Sequence, residues 1–143
     1  MSDSQFLVGG QIGIAEPLTR YIPVVGDLQV ETAEANVEIP IRDAGVFSNL
    51  FVYVFANTVD STVITFRKSL AATALTVTYG ASETGIKEDT ANTVTVAATD
   101  EIDYQVVTAA TAGNQSITIR VMGVKFAPTT TSDCVSKLAV SSG

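Results

Sequence analysis

Carboxylates are almost the whole chemical inventory of this 143-residue chain, with 15 Asp and Glu against 8 Lys and Arg, no histidine and one cysteine. Without imidazole there is no Ser-His-Asp or Cys-His catalysis, no histidine acid–base step, and none of the His ligands that metal-dependent cupin-type enzymes need. Two acidic groupings remain: Asp100, Glu101 and Asp103 beside a turn, and Glu83, Glu88 and Asp89 in the stretch 80–91. Acidic groups of this kind can hold Ca²⁺ or act as a glycosidase pair, but neither has EF-hand spacing, and solvated acidic loops are the ordinary case. Gly9, Gly10 and Gly13 do not make the G-x-G-x-x-G loop that follows a strand in nucleotide-binding folds. No catalytic residue, cofactor ligand, metal ligand or small-molecule substrate is therefore assigned, and the chain reads as non-enzymatic. The single Cys134 lies in a Ser/Thr-rich tail and excludes an intrachain disulfide, which suits synthesis in a reducing cytoplasm.

The charge balance narrows the partners. A net charge of −7, with its few cations scattered, lacks the clustered Lys and Arg that displace phosphate counterions, so no nucleic-acid partner is expected. The longest apolar run, Val46–Ala56, is strand-length and broken by Ser48 and Asn49, so no membrane partner is expected either. The opening MSDSQFLVGGQIGIAEPL has neither a basic leader nor a long apolar core, so no signal peptide is expected.

The elements that position these groups are strands. Nineteen Thr and nineteen Val favour half-buried strands over helices, and no window keeps an apolar stripe of helical period. Residues 1–35 are broken by Gly9, Gly10, Gly13, Pro17, Pro23 and Gly26, yet apolar between the breaks. Such an arm must lie on something, either its own domain or a partner. Residues 36–128 hold alternating runs at Asn36–Ile41, Gly45–Thr58, Thr62–Ser69, Ala74–Tyr79, Thr93–Ala97, Glu101–Thr108 and Ser116–Phe126, the last with a parity reversal after Gly123 that calls for a bulge. A further strand near Asp27–Thr32 brings the count to about eight; the stretch Gly80–Ala91 reads as a loop, and 129–143 as a C-terminal tail. The expectation is an all-β chain: a single jelly-roll β-sandwich with an extended N-terminal arm.

Gly45–Thr58 is apolar on both sides. Its even positions carry Leu50, Val52, Val54 and Ala56; its odd positions carry Phe47, Phe51, Tyr53 and Phe55. Alternation prevents both sets from entering one core. Asn49 and Asn57 share the odd side, so that side is expected to face outward, with Phe47, Phe51, Tyr53 and Phe55 buried in a symmetric homo-oligomer; cover by the N-terminal arm or use as an aromatic ligand platform are the alternatives.

The stretches Ser48–Asn57, Thr65–Thr78, Asp89–Val107 and Ser116–Pro128 (SNLFVYVFAN, TFRKSLAATALTVT, DTANTVTVAATDEIDYQVV, SITIRVMGVKFAP) resemble a jelly-roll module common in tailed-phage structural proteins. The resemblance covers about residues 45–128. One departure is Thr99–Asp100, where the module usually has Gly-Asp, so this turn must accommodate a side chain. The resemblance implies a capsid decoration (cement) protein that binds the outer capsid surface as a homotrimer, stabilises the shell, is made in the host cytoplasm and resides on the capsid exterior. On that reading the arm residues Phe6, Leu7, Val8, Ile12, Ile14, Tyr21, Ile22, Val24 and Val25 dock on the major capsid protein. The alternative it leaves open is a receptor- or carbohydrate-binding jelly-roll of a phage tail or fibre, using the loops Gly80–Ala91 and Ala109–Gln115.

Overall fold

The computed structural model describes residues 4–9, 12–15, 17–26 and 30–129. Ten strands appear in chain order: β1 (Gln5–Gly9), β2 (Ile12–Ala15), β3 (Thr19–Ile22), β4 (Ile39–Pro40), β5 (Gly45–Asn57), β6 (Ser61–Lys68), β7 (Ala71–Gly80), β8 (Gly85–Val96), β9 (Glu101–Ala109) and β10 (Ser116–Pro128). The only helical element among the described residues is a 3₁₀ turn at Glu34–Asn36, and no helix there is long and apolar enough to cross a membrane.

All pairings are antiparallel and fall into two sheets. Sheet A runs β1-β10-β5-β8, and β2 also pairs with β10. Sheet B runs β3-β9-β6-β7, and β4 also pairs with β9. β1 and β2 lie one after the other along β10, against Met122–Phe126 and Ser116–Ile119. β3 and β4 divide β9 in the same way. Each pair fills one lane, so ten strands make eight lanes, in the interleaved order that two Greek keys give a jelly-roll. The chain is an all-β jelly-roll sandwich, as its alternation predicts.

Inward-facing side chains of both sheets form one core. Phe47 stands between Phe66 and Phe126, each 4.7 Å away centroid to centroid, and Tyr104 meets Phe66 edge-on at 6.0 Å. Such pairs contribute about 0.5–1.5 kcal/mol each beyond the area they bury. Gly45 is required beside this stack, because a Cβ there would lie 2.4 Å from the Phe126 ring. At Gly123 a Cβ would approach the Leu7 carbonyl to 2.8 Å, so the missing side chain lets β1 pair closely with β10. β10 is bulged, but earlier than the Met122–Gly123 position its alternation implies: Arg120 is the extra residue between Ile119 and Val121, so that Met122, Val124 and Phe126 face inward.

Three expectations are corrected. The first concerns the arm. Its described part is woven into both sheets, and Leu7, Ile12, Ile14, Ile22 and Val24 belong to the core. Apolar residues separated by chain breakers need only short strands to reach a core, and here they edge their own sandwich. Phe6 and Val8 point outward and are exposed, while Tyr21 and Val25 are half-buried.

The second concerns strand parity in β5. Asn49 has φ +56° and sits at a register shift between Ser48 and Leu50. This bulge rotates the preceding residues by one position, so Phe47 faces the core and is fully buried. A second irregularity leaves Phe55 without a Cα partner on β10. Beyond it Ala56 is exposed and Asn57 turns inward. The Asn57 amide donates to the carbonyls of Gly80 (2.9 Å) and Glu83 (3.1 Å), and its oxygen accepts from the Val59 N–H.

The third concerns Gly80–Ala91, expected as a loop. β8 begins at Gly85, leaving only a short turn at 81–84. Polar side chains hid this strand because it is a sheet edge, where one face and one side meet water. Of the strand expected near Asp27–Thr32, residues 27–29 lie outside the described set, and Glu31 forms an isolated bridge with Tyr21. Cys134 and the tail from residue 130 also lie outside it.

Candidate functional site

Two surfaces carry unusual chemistry, one on each sheet. On sheet A the outward residues of β5 form an aromatic row. Phe51 and Tyr53 are half-buried, and Phe55 is 51 % exposed. Register sets their neighbours: Tyr53 lies between Val121 of β10 and Ile86 of β8, and Phe51 lies across from Gly123, beyond which comes Val8 of β1. Ile86 is 62 % exposed. The Arg120 guanidinium lies 3.5 Å from the Phe55 ring centroid, so the far end of the row is capped by a cation–π contact. Of the four residues assigned to an oligomer interface, three share this face; Phe47 does not.

On sheet B the outward face is polar and roofed around Arg67 and Asp103. The segment Val30–Glu38 crosses it, tied to β3 by paired hydrogen bonds between Tyr21 and Glu31. Beneath this segment lie Arg67 of β6 and Asp103 of β9, which are direct cross-strand partners. Arg67 grips Glu34 with both arms, Nε on Oε1 and Nη2 on Oε2 (3.0 Å). The guanidinium also stacks 5.7 Å from the Tyr21 ring centroid and donates to Gln105. Asp103 is 0 % exposed, and neither of its carboxylate oxygens has a hydrogen-bond partner. Glu38 Oε1 is likewise buried and unpartnered. One carboxylate oxygen each from Glu34, Glu38 and Asp103 lies within 4.8 Å of the others. Burial, reinforced by the charge of Glu34, pushes the Asp103 carboxyl up to about 8. Glu38 is raised by burial and then by Glu101 and Glu34.

The acidic groupings visible in the sequence are dispersed. Asp100 caps its turn by accepting from the Ala97 N–H at 2.8 Å, Glu101 faces solvent, and Asp103 joins the roofed cluster. Glu83 bonds the Gly80 N–H and Lys87. Glu88 is exposed, and Asp89 accepts from Thr76, Ala91 and Asn92. Burial works to raise Asp89, but those bonds, led by Asn92, outweigh it and hold the carboxylate below its usual range. Asp89 thereby staples β7 of one sheet to β8 of the other. Thr99 takes φ +77° in the Ala97–Asp100 turn, the left-handed conformation a glycine there would adopt freely.

Sequence reasoning missed the Glu34–Glu38–Asp103 cluster. Asp103 was conspicuous as an acid inside an alternating strand, but nothing local tells that two glutamates some 65 residues earlier cross above it. No family model and no curated protein matches the chain.

Proposed function

We propose that this chain is a viral structural protein, a capsid decoration protein that binds the outer capsid surface as a homotrimer and stabilises the shell. One observation carries the reading: the aromatic row Phe51, Tyr53 and Phe55, flanked by Ile86, Val121 and Val8, makes a contiguous apolar strip on the outer face of sheet A. Apolar area left in water costs about 25 cal/mol per Å², and a central aromatic row with a polar margin is what an interface core requires. The jelly-roll strand order and the resemblance to phage modules across residues 45–128 supply the virion context. Three copies joined through this face present three identical attachment surfaces to the shell, so each further contact forms at high effective concentration.

Attachment does not run through a free arm, since Leu7, Ile12, Ile14, Ile22 and Val24 are core residues. The tail- or fibre-type alternative loses most of one of its loops, because 85–91 is strand.

Light scattering on the purified chain tests the assembly, with three times the 14.9 kDa chain mass expected. Tyr53→Lys, which places a charge at the centre of the strip, is expected to give monomers that still fold. A wild-type monomer at every concentration would defeat the trimer. Its absence from purified particles of the encoding virus, viewed by cryo-electron microscopy, would defeat the shell assignment.

A further inference from the structure

We propose that Glu34, Glu38 and Asp103 form a buried divalent-cation site, suited to Ca²⁺, that pins the segment Val30–Glu38 onto sheet B. The inference is independent of the shell reading.

Charge and unmet bonding capacity lead to the same occupant. Three carboxylates face one another, and Arg67 offsets one of them through its two-armed grip on Glu34. Two negative charges are left over, the amount a divalent ion cancels. The orphan acceptors are both Asp103 oxygens and Glu38 Oε1. A buried acceptor without a donor costs about 1–3 kcal/mol, and more when charged, so three in one place call for a shared partner. A proton shared between Asp103 and Glu34 is too small a remedy, since it leaves the second Asp103 oxygen and Glu38 Oε1 without a donor.

Size agrees as well. Ca²⁺ holds oxygen ligands at about 2.3–2.6 Å, so opposite ligands stand roughly 5 Å apart. The three carboxylates already offer oxygens within 4.8 Å of one another. Ca²⁺ tolerates an irregular shell completed by water, whereas Mg²⁺ demands a near-ideal octahedron. Glu34 and Glu38 are half-buried, which leaves a path of entry from solvent.

The site also has structural work to perform. Apart from a single 3₁₀ turn and the Tyr21–Glu31 bridge, residues 30–38 make little regular backbone pairing. An ion held jointly by that segment and by β9 fastens the roof to the sheet.

The test uses the full chain, stripped with EDTA and melted with and without CaCl₂. At a hundredfold excess over Kd the midpoint is expected to rise by about 5–10 °C. Tb³⁺ is expected to bind with luminescence excited through tyrosine, and Ca²⁺ to displace it. Asp103→Asn should abolish both responses. Glu38→Gln should weaken Ca²⁺ by at least about tenfold, while Glu88→Gln, an exposed acid on the other sheet, leaves affinity unchanged. The proposal is overturned if neither Ca²⁺ nor Mn²⁺ moves the wild-type midpoint, including the case where the midpoint responds to pH alone. It is equally overturned if Asp103→Asn keeps the full calcium shift.

Discussion

The outer faces of the two sheets are finished in opposite ways. Sheet A sends Phe51, Tyr53 and Phe55 outward, the first two half-buried among their neighbours and Phe55 half exposed against Arg120. Sheet B sends out Arg67, Asp103 and Gln105, and the chain lays its own segment Val30–Glu38 across them. The row on sheet A is apolar and faces out; the charged pair on sheet B is closed over. Alternation along a strand decides which side chains leave the core, but what they meet outside depends on the path of distant chain. An open apolar face invites another molecule, whereas a roofed charged face has its main partner already and needs only its charge balanced.

The contrast can be broken at several points. Deleting residues 2–25 has the largest expected effect, because it removes β1, β2 and β3 together with Leu7, Ile12, Ile14, Ile22 and Val24. Truncating one such residue costs about 2–5 kcal/mol, and a domain of this size has about 5–15 kcal/mol in total. No cooperative melt should remain by circular dichroism; a sharp transition would mean the arm is an accessory after all. Next comes Arg67→Met, which strips the cation from a nearly buried pair and leaves three acids beneath the roof. The expected loss is about 3–5 kcal/mol in urea unfolding, and a loss below about 1 kcal/mol would show the roof to be ornamental. Phe55→Lys is the smallest. At dilutions where the chain is monomeric it should shift folding stability by no more than about 0.5 kcal/mol, as at other exposed positions. A larger loss would place Phe55 in the monomer's own fabric and not on a contact face.

The strands were legible because their period is local. Val94 and Val96, or Ile102, Tyr104 and Val106, declare an inward face within five residues, and the structure buries all five. What was not legible depends on single-residue events or on long separation. The bulge at Asn49 reverses the facing of Phe47, and its one visible sign was an asparagine, a residue tolerant of positive φ, inside an apolar strand. The edge strand β8 was masked by Lys87, Glu88 and Asp89, side chains that ordinarily mark loops. In the candidate site, the outward positions of Phe51, Tyr53 and Phe55 followed from alternation. The meeting of Glu34 and Glu38 with Asp103 followed from topology alone.

The lane sharing along β10 bears on how the molecule is made. Gln5 is paired with Phe126 and Ser116 with Ala15, so β1 and β2 find their neighbours only in the last described strand. Sheet B waits in the same fashion, since β3 needs β9. Sheet B cannot close before β9 has been made, nor sheet A before β10, and β1, β2 and β3 stay without their partners until then. Folding is therefore a long-range closure, slow for its size and dependent on those first apolar strands escaping aggregation in the meantime.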